Sequence, residues 1–157
     1  MILGDVFSAK AIKVNLESES KDEVFEELVE ELVAVQNGMD RRKVLGAIRS
    51  RESLMSTGIM HGIAIPHGKT DAVSGVIGAI GVSHAGIEYD SLDKSPVHLV
   101  FLLVSSPEDS ECHLQALKRL ALVLEDPSFY ESLLAQQTSQ GVYDTLCKYE
   151  VMHTSGK

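Results

Sequence analysis

The sequence predicts one α/β domain, on three observations. Some segments alternate apolar and polar residues or run apolar without a break, as strands do. Others repeat apolar residues every three or four positions, as helices do. The two kinds are interleaved, so that some strands are joined through helices and others directly, with no internal repeat, linker or low-complexity tract between them.

The first strand is predicted from Lys10 to Glu17, where Ile12, Val14 and Leu16 alternate with Lys13, Asn15 and Glu17. Ser20 with Glu23 forms a capping box, Val24, Leu28, Leu32 and Val35 follow at helical spacing, and Gly38 ends the run, giving a helix from Asp22 to Gln36. Asp40 caps a second helix with Val44, Leu45 and Ile48 as its buried stripe. Arg51, three residues beyond Ile48, is expected to point inward near the end of that helix.

The run Gly62-Ile63-Ala64-Ile65-Pro66-His67-Gly68-Lys69 reads as a short strand that leaves the sheet at Pro66, where a backbone donor is lost and φ is fixed. His67 would then stand on a rigid rim. Val76 to Val82 and Val97 to Val104 are further strands, the second apolar enough to be covered on both faces, with His98 a satisfied core or edge residue. Ser106-Pro107-Glu108-Asp109 starts a helix whose buried stripe is Leu114, Leu117, Leu120, Ala121 and Leu124. His113 belongs to that stripe, which turns its imidazole inward near the helix N-terminus. Asp126-Pro127 opens another helix, Ser139 is expected to cap a last one ending near Tyr149, and Val151 to Lys157 is expected to fray.

The 157 residues suffice for a substantial core, and a 44% hydrophobic, 24% charged composition is that of a soluble globular chain. With 23 acidic against 14 basic residues, net −9, the field of the whole chain repels nucleic acid and anionic membranes. The first ten residues lack the features of a signal peptide and no apolar run is long enough to span a bilayer, so a cytoplasmic location is expected. Cys112 and Cys147 are too isolated for a disulfide framework or a CxxC metal site and are expected to be buried or half-buried thiols.

Several chemistries fall away. Gly68-Lys69-Thr70 ends like a phosphate-binding loop, but five residues separate Gly62 from Gly68 where that motif allows four. A metal site from His61, His67 and His113 lacks a recognisable ligand motif, and no G-x-S-x-G elbow is present. No metal and no cofactor are expected. Two readings of His67 remain, a loop histidine with no task and a nucleophile toward phosphorus, since neutral imidazole attacks well near pH 7 and a phosphorylated imidazole passes the group on. Transfer of this kind needs donors around the phosphoryl oxygens. Arg51 offers a guanidinium fork and His113 a ring N–H beside a helix N-terminus, while Ser56 and Thr57 are either two further hydroxyl donors or, the favoured reading, solvated loop residues.

The stretch from Arg51-Glu52 through Ser56-Thr57-Gly58 to Gly62-Ile63-Ala64-Ile65-Pro66-His67-Gly68, with His113-Leu114-Gln115-Ala116-Leu117 as a second block, resembles the fructose and mannitol class of phosphotransferase-system IIA proteins (EIIA type 2), including the nitrogen-regulatory branch. The resemblance runs from the first strand to the last helix and implies one domain over residues 1–157 with an ordered core at about 5–150. It implies an α/β sandwich with a mixed sheet flanked by helices. It also implies that His67 accepts a phosphoryl group from the phosphocarrier HPr or its nitrogen-branch relative, flanked by Arg51 and His113, and that in the transport branches a sugar-specific IIB receives it. His61 departs from the pattern, which leads one to expect a small or amide residue there; it is either an electrostatic influence on the rim or an idle exposed ring. His84 and His153 match no family role and are expected on the surface. Two roles stay open, a transport phosphocarrier serving a IIB and a regulator whose phosphorylation state controls binding to other proteins. The lack of a fused IIB, IIC or HPr segment in these residues favours the second.

Overall fold

A computed structural model describes residues 2–154; it contains the predicted elements in order and adds one short helix and two short strands not expected from the sequence. A short helix α1 (Leu3–Val6) leads into β1 (Phe7–Lys13), followed by α2 (Lys21–Val35) and α3 (Arg41–Leu54). Three short strands, β2 (Gly58–Met60), β3 (Ile63–Ala64) and β4 (His67–Lys69), precede the long pair β5 (Val76–Ile87) and β6 (Val97–Ser105). A single 3-10 turn over Pro107–Asp109 then opens α4 (Ser110–Leu124), and α5 (Pro127–Leu134) and α6 (Ser139–Thr154) complete the chain.

The six strands form one mixed sheet in the order β1-β5-β6-β3-β2, with β4 also paired to β6. β5 and β6 are antiparallel, β1 runs parallel to β5, and β3 and β4 both run parallel to β6. Alternation along β6 divides the core between the two faces. Leu99, Phe101 and Leu103 pack with residues of α4, α5 and α6, whereas Val100, Leu102 and Val104 pack with residues of α2 and α3. The apolar run that predicted a doubly covered strand is therefore the middle of an α/β/α sandwich.

Helix ends follow the sequence signals closely. Ser20 and Glu23 make the reciprocal capping box of α2, Asp40 accepts from the amides of Arg42 and Lys43 at the start of α3, and Asp126 accepts from Ser128 at the start of α5. Ser139 differs from expectation. It is the first helical residue, its hydroxyl donates to the Ile12 carbonyl at 2.7 Å, and Thr138 supplies the cap by accepting from the Gly141 amide at 3.0 Å. α6 also runs past Tyr149 to Thr154, because Glu150, 3% exposed, joins the Leu3 amide to the Arg119 guanidinium and anchors the last turns. The remainder of the predicted frayed tail, Ser155 to Lys157, lies outside the described residues.

Two strand boundaries are corrected. β1 begins at Phe7 and ends at Lys13, since a register shift between Phe7 and Ile12 breaks strict alternation and buries Ala11 and Ile12 in succession. The chain also does not leave the sheet at Pro66. β3 and β4 lie in line on β6, and the Pro66 carbonyl accepts from the Leu103 amide at 2.9 Å across the gap between them. A proline lacks a donor but keeps its acceptor, and at an edge position that suffices. His67 is consequently a strand residue, paired with Leu103.

Candidate functional site

β4 pairs with β6 on one side only, so His67 stands at an edge of the sheet. α3 covers one face of the sheet and α4 the other, and both border β4 there. The approach of α3 is close enough to demand glycine: a Cβ on Gly68 would lie 2.8 Å from the Ala47 carbonyl carbon. Between the two helices lies a cleft of about 760 Å³, bordered by Arg51 and Leu54 of α3, His67 and Lys69 of β4, and His113 and Leu114 of α4. Lys69 lies two residues beyond His67 on the same strand and thus shares its face.

His67 is half-buried, and its Nδ1 lies 2.7 Å from the Ile65 carbonyl oxygen. A carbonyl only accepts, so Nδ1 carries the ring proton and Nε2 keeps its lone pair. Burial pushes the His67 pKa below the ordinary imidazole value; the Ile65 hydrogen bond acts against that, and the Arg51 charge adds to it. The His113 ring sits edge-on to His67 with centroids 5.6 Å apart. It is 4% exposed, and burial, helped by His67 and Lys69, pushes its pKa down to about 4. Both rings are therefore neutral at pH 7. Arg51 is half-exposed, its guanidinium held by donation from Nη1 to the Met55 carbonyl at 3.3 Å.

The expected trio of His67, His113 and Arg51 thus lines one cleft. The buried position of α3 near Arg51 belongs instead to Glu52, four residues after Ile48. Its carboxylate accepts from the Thr57 amide at 2.8 Å and the Thr57 hydroxyl at 2.7 Å, and meets Lys21 Nζ at 3.2 Å. Burial and the neighbouring Glu52 push the Tyr89 phenol pKa up, so it stays protonated against that carboxylate. The hydroxyls of Ser56 and Thr57 do not reach the cleft: Thr57 is buried on Glu52 and Tyr89, and Ser56 accepts from the Gly58 amide.

The inward stripe of α4 is His113, Ala116, Leu120 and Val123, with Leu117 and Leu124 half-buried and Leu114 and Ala121 exposed. His113 sets the face that the leucines alone mislocate by about one position. Cys112 is correspondingly exposed, while Cys147 is half-buried as expected. His61 adopts positive φ (45°) in the turn before Gly62, is exposed, and lies in a separate hollow with Ile63 and Tyr130, away from His67. His98 is half-buried, with Nδ1 donating to the Ser83 carbonyl at 2.8 Å, and His84 is exposed. His153 is partly buried and paired with Asp126 rather than free on the surface. Among the described residues, no three His, Cys, Asp or Glu side chains converge as a metal-ligand set, and no helix is long and apolar enough to cross a membrane.

Sheet order and helix layers define a mixed-sheet α/β/α sandwich with a neutral, half-buried histidine at the sheet edge. A family model for the EIIA 2 domain of the phosphoenolpyruvate-dependent sugar phosphotransferase system matches residues 5–149, and the chain belongs to this family. It is 36% identical over 150 residues to the fructose-specific EIIABC component of Bacillus subtilis, covering 96% of this chain but only 24% of that protein. It is 33% identical over 146 residues to a nitrogen regulatory protein of Bradyrhizobium diazoefficiens, covering 93% of this chain and 95% of that one. The crystal structure of the nitrogen regulatory protein IIA-Ntr of Neisseria meningitidis superposes with a TM-score of 0.84 at 30% identity, over 92% of this chain and 98% of that one. The mannitol IIA of Escherichia coli, seen in a complex with phosphorylated IIB, shares the fold at a TM-score of 0.76 and 23% identity, over 91% and 99% of the two chains.

Proposed function

We propose that this chain is a single-domain phosphocarrier in which Nε2 of His67 accepts a phosphoryl group from a phosphohistidine of HPr or its nitrogen-branch relative, in the cytoplasm. One observation carries the reading: the Ile65 carbonyl holds the Nδ1 proton of a neutral His67, which leaves the Nε2 lone pair as the free nucleophile. In the step, the donor's P–N bond breaks as a P–N bond to Nε2 forms, and the donor imidazole departs with its electron pair. No proton has to move. Arg51 and Lys69 place positive charge around the transferred group, and His113 contributes an N–H donor. Leu54, Met55 and Leu114, 81%, 58% and 51% exposed, give a protein donor an apolar rim beside those charges.

A regulatory role of the nitrogen branch is the favoured reading, supported by the match over more than nine-tenths of the chain to a nitrogen regulatory protein in sequence and to IIA-Ntr in structure. The 36% identity to a fructose-specific protein supports the alternative, in which a fructose- or mannitol-class IIB receives the group. Incubation with phosphoenolpyruvate, Enzyme I and HPr should label the protein once, on an acid-labile histidine, and His67→Ala should abolish labelling. Retained label in that variant sinks the assignment. Transfer onward to purified IIB proteins, run beside capture of partners by the unphosphorylated form, separates the two roles.

A further inference from the structure

Ser105, the last residue of β6, is completely buried, and its Oγ lies 2.6 Å from Nδ1 of His113. The pair admits two proton arrangements. With the proton on Nδ1, the imidazole would donate to Oγ, and the serine's own hydrogen would need another acceptor. Among the described residues the Ser105 hydroxyl bonds nothing but this ring, and at 0% exposure it reaches no solvent. A buried hydroxyl hydrogen without an acceptor bears the full desolvation penalty of that group, which decides between the two arrangements. The hydroxyl donates and Nδ1 accepts.

We propose that Ser105 is a positioning residue that fixes His113 in the Nε2–H tautomer, so that the ring bordering the cleft presents a hydrogen-bond donor rather than a lone pair. The two imidazoles of the cleft then have opposite roles set by different partners. A carbonyl places the His67 proton on Nδ1 and frees a nucleophile at Nε2; a hydroxyl places the His113 proton on Nε2 and makes it a donor. The reverse tautomer of His113 would turn a lone pair toward an anionic phosphoryl group and repel it. A hydroxyl sets the tautomer without adding a charge, which a carboxylate at the same place would not do. The sequence gives no hint of this, since Ser105 ends an apolar strand and lies eight residues before His113.

The consequence for transfer rests on the phosphocarrier reading, whereas the tautomer itself does not, and the experiment reads them separately. Two-bond ¹H–¹⁵N correlation of the imidazoles at neutral pH should give His113 a pyridine-type Nδ1 and a pyrrole-type Nε2 in the unaltered protein. Ser105→Ala should move His113 toward Nδ1–H or a mixture and slow single-turnover phosphorylation of His67 roughly tenfold, as loss of a partner behind an active group commonly does. Ser105→Thr, which keeps the hydroxyl, should restore both. A pyrrole-type Nδ1 in the unaltered protein overturns the proposal without any variant, as does a Ser105→Ala spectrum identical to it. If the tautomer is as expected and His67 takes no phosphoryl group, the phosphocarrier reading fails and the assignment of Ser105 stands.

Discussion

His113 and His153 both sit on helices and both use a ring nitrogen to bond a side chain, yet the partners differ in kind. His113, in the first turn of α4, meets the neutral hydroxyl of Ser105 at 2.6 Å; His153, in the last turn of α6, meets the carboxylate of Asp126 at 2.9 Å. A carboxylate helps hold a helix end in place, and would set a negative charge against an arriving phosphoryl group. A hydroxyl fixes orientation and leaves the ring neutral. The first pair borders the proposed phosphoryl site, and the second belongs to the packing of α5 against α6.

The comparison is open to attack at several points. Replacing His113 with Ala should slow transfer by roughly 10²-fold, the usual loss for one oriented donor, with the fold intact by circular dichroism. An equal loss in His153→Ala would erase the distinction. Arg51→Lys should reduce single-turnover transfer by roughly tenfold, because a point charge does not reproduce the guanidinium fork. An unchanged rate would assign Arg51 to structure alone.

Acid should test the neutrality of His113 next. The folded-state pKa of His113, about 4, lies below the ordinary 6.5. Between those values the unfolded chain binds more protons here than the folded one, so the stability tied to this group is full above pH 6.5 and is lost as pH falls toward 4. Urea denaturation at about pH 7.5 and about pH 4.5 should show His113→Gln losing less stability on acidification than the unaltered protein. Parallel losses would contradict a neutral buried ring. The smallest effect is reserved for His153→Ala, expected to cost less than about 1 kcal/mol and to leave transfer untouched.

Much of this was legible in the residues. Capping pairs at Ser20, Asp40 and Asp126 and the apolar run of β6 located helices and the central strand, because each depends on local chemistry. His67, His113 and Arg51 converge as expected because helix period and strand position place them on neighbouring elements. Local pattern failed where a distant contact decides. Glu52 is a carboxylate on the inward stripe of α3, stable there only through Thr57, Tyr89 and Lys21, none of which is predictable as its partner from spacing. The Val44, Ile48, Glu52 spacing was the available signal. Lys69 escaped notice because the strand was expected to end at Pro66; only the β4 pairing with β6 puts His67 and Lys69 on one face.

The break between β3 and β4 has a consequence for how the protein can be read by others. It frees the Ile65 carbonyl from the ladder to hold the His67 ring through Nδ1, the nitrogen opposite the proposed phosphoryl acceptor. On the proposed phosphocarrier reading, loading and unloading of Nε2 need no ring flip, and the first difference between the two forms of the protein would be one of charge. A partner that tells them apart is sensing a local potential, and its discrimination should fade as ionic strength rises.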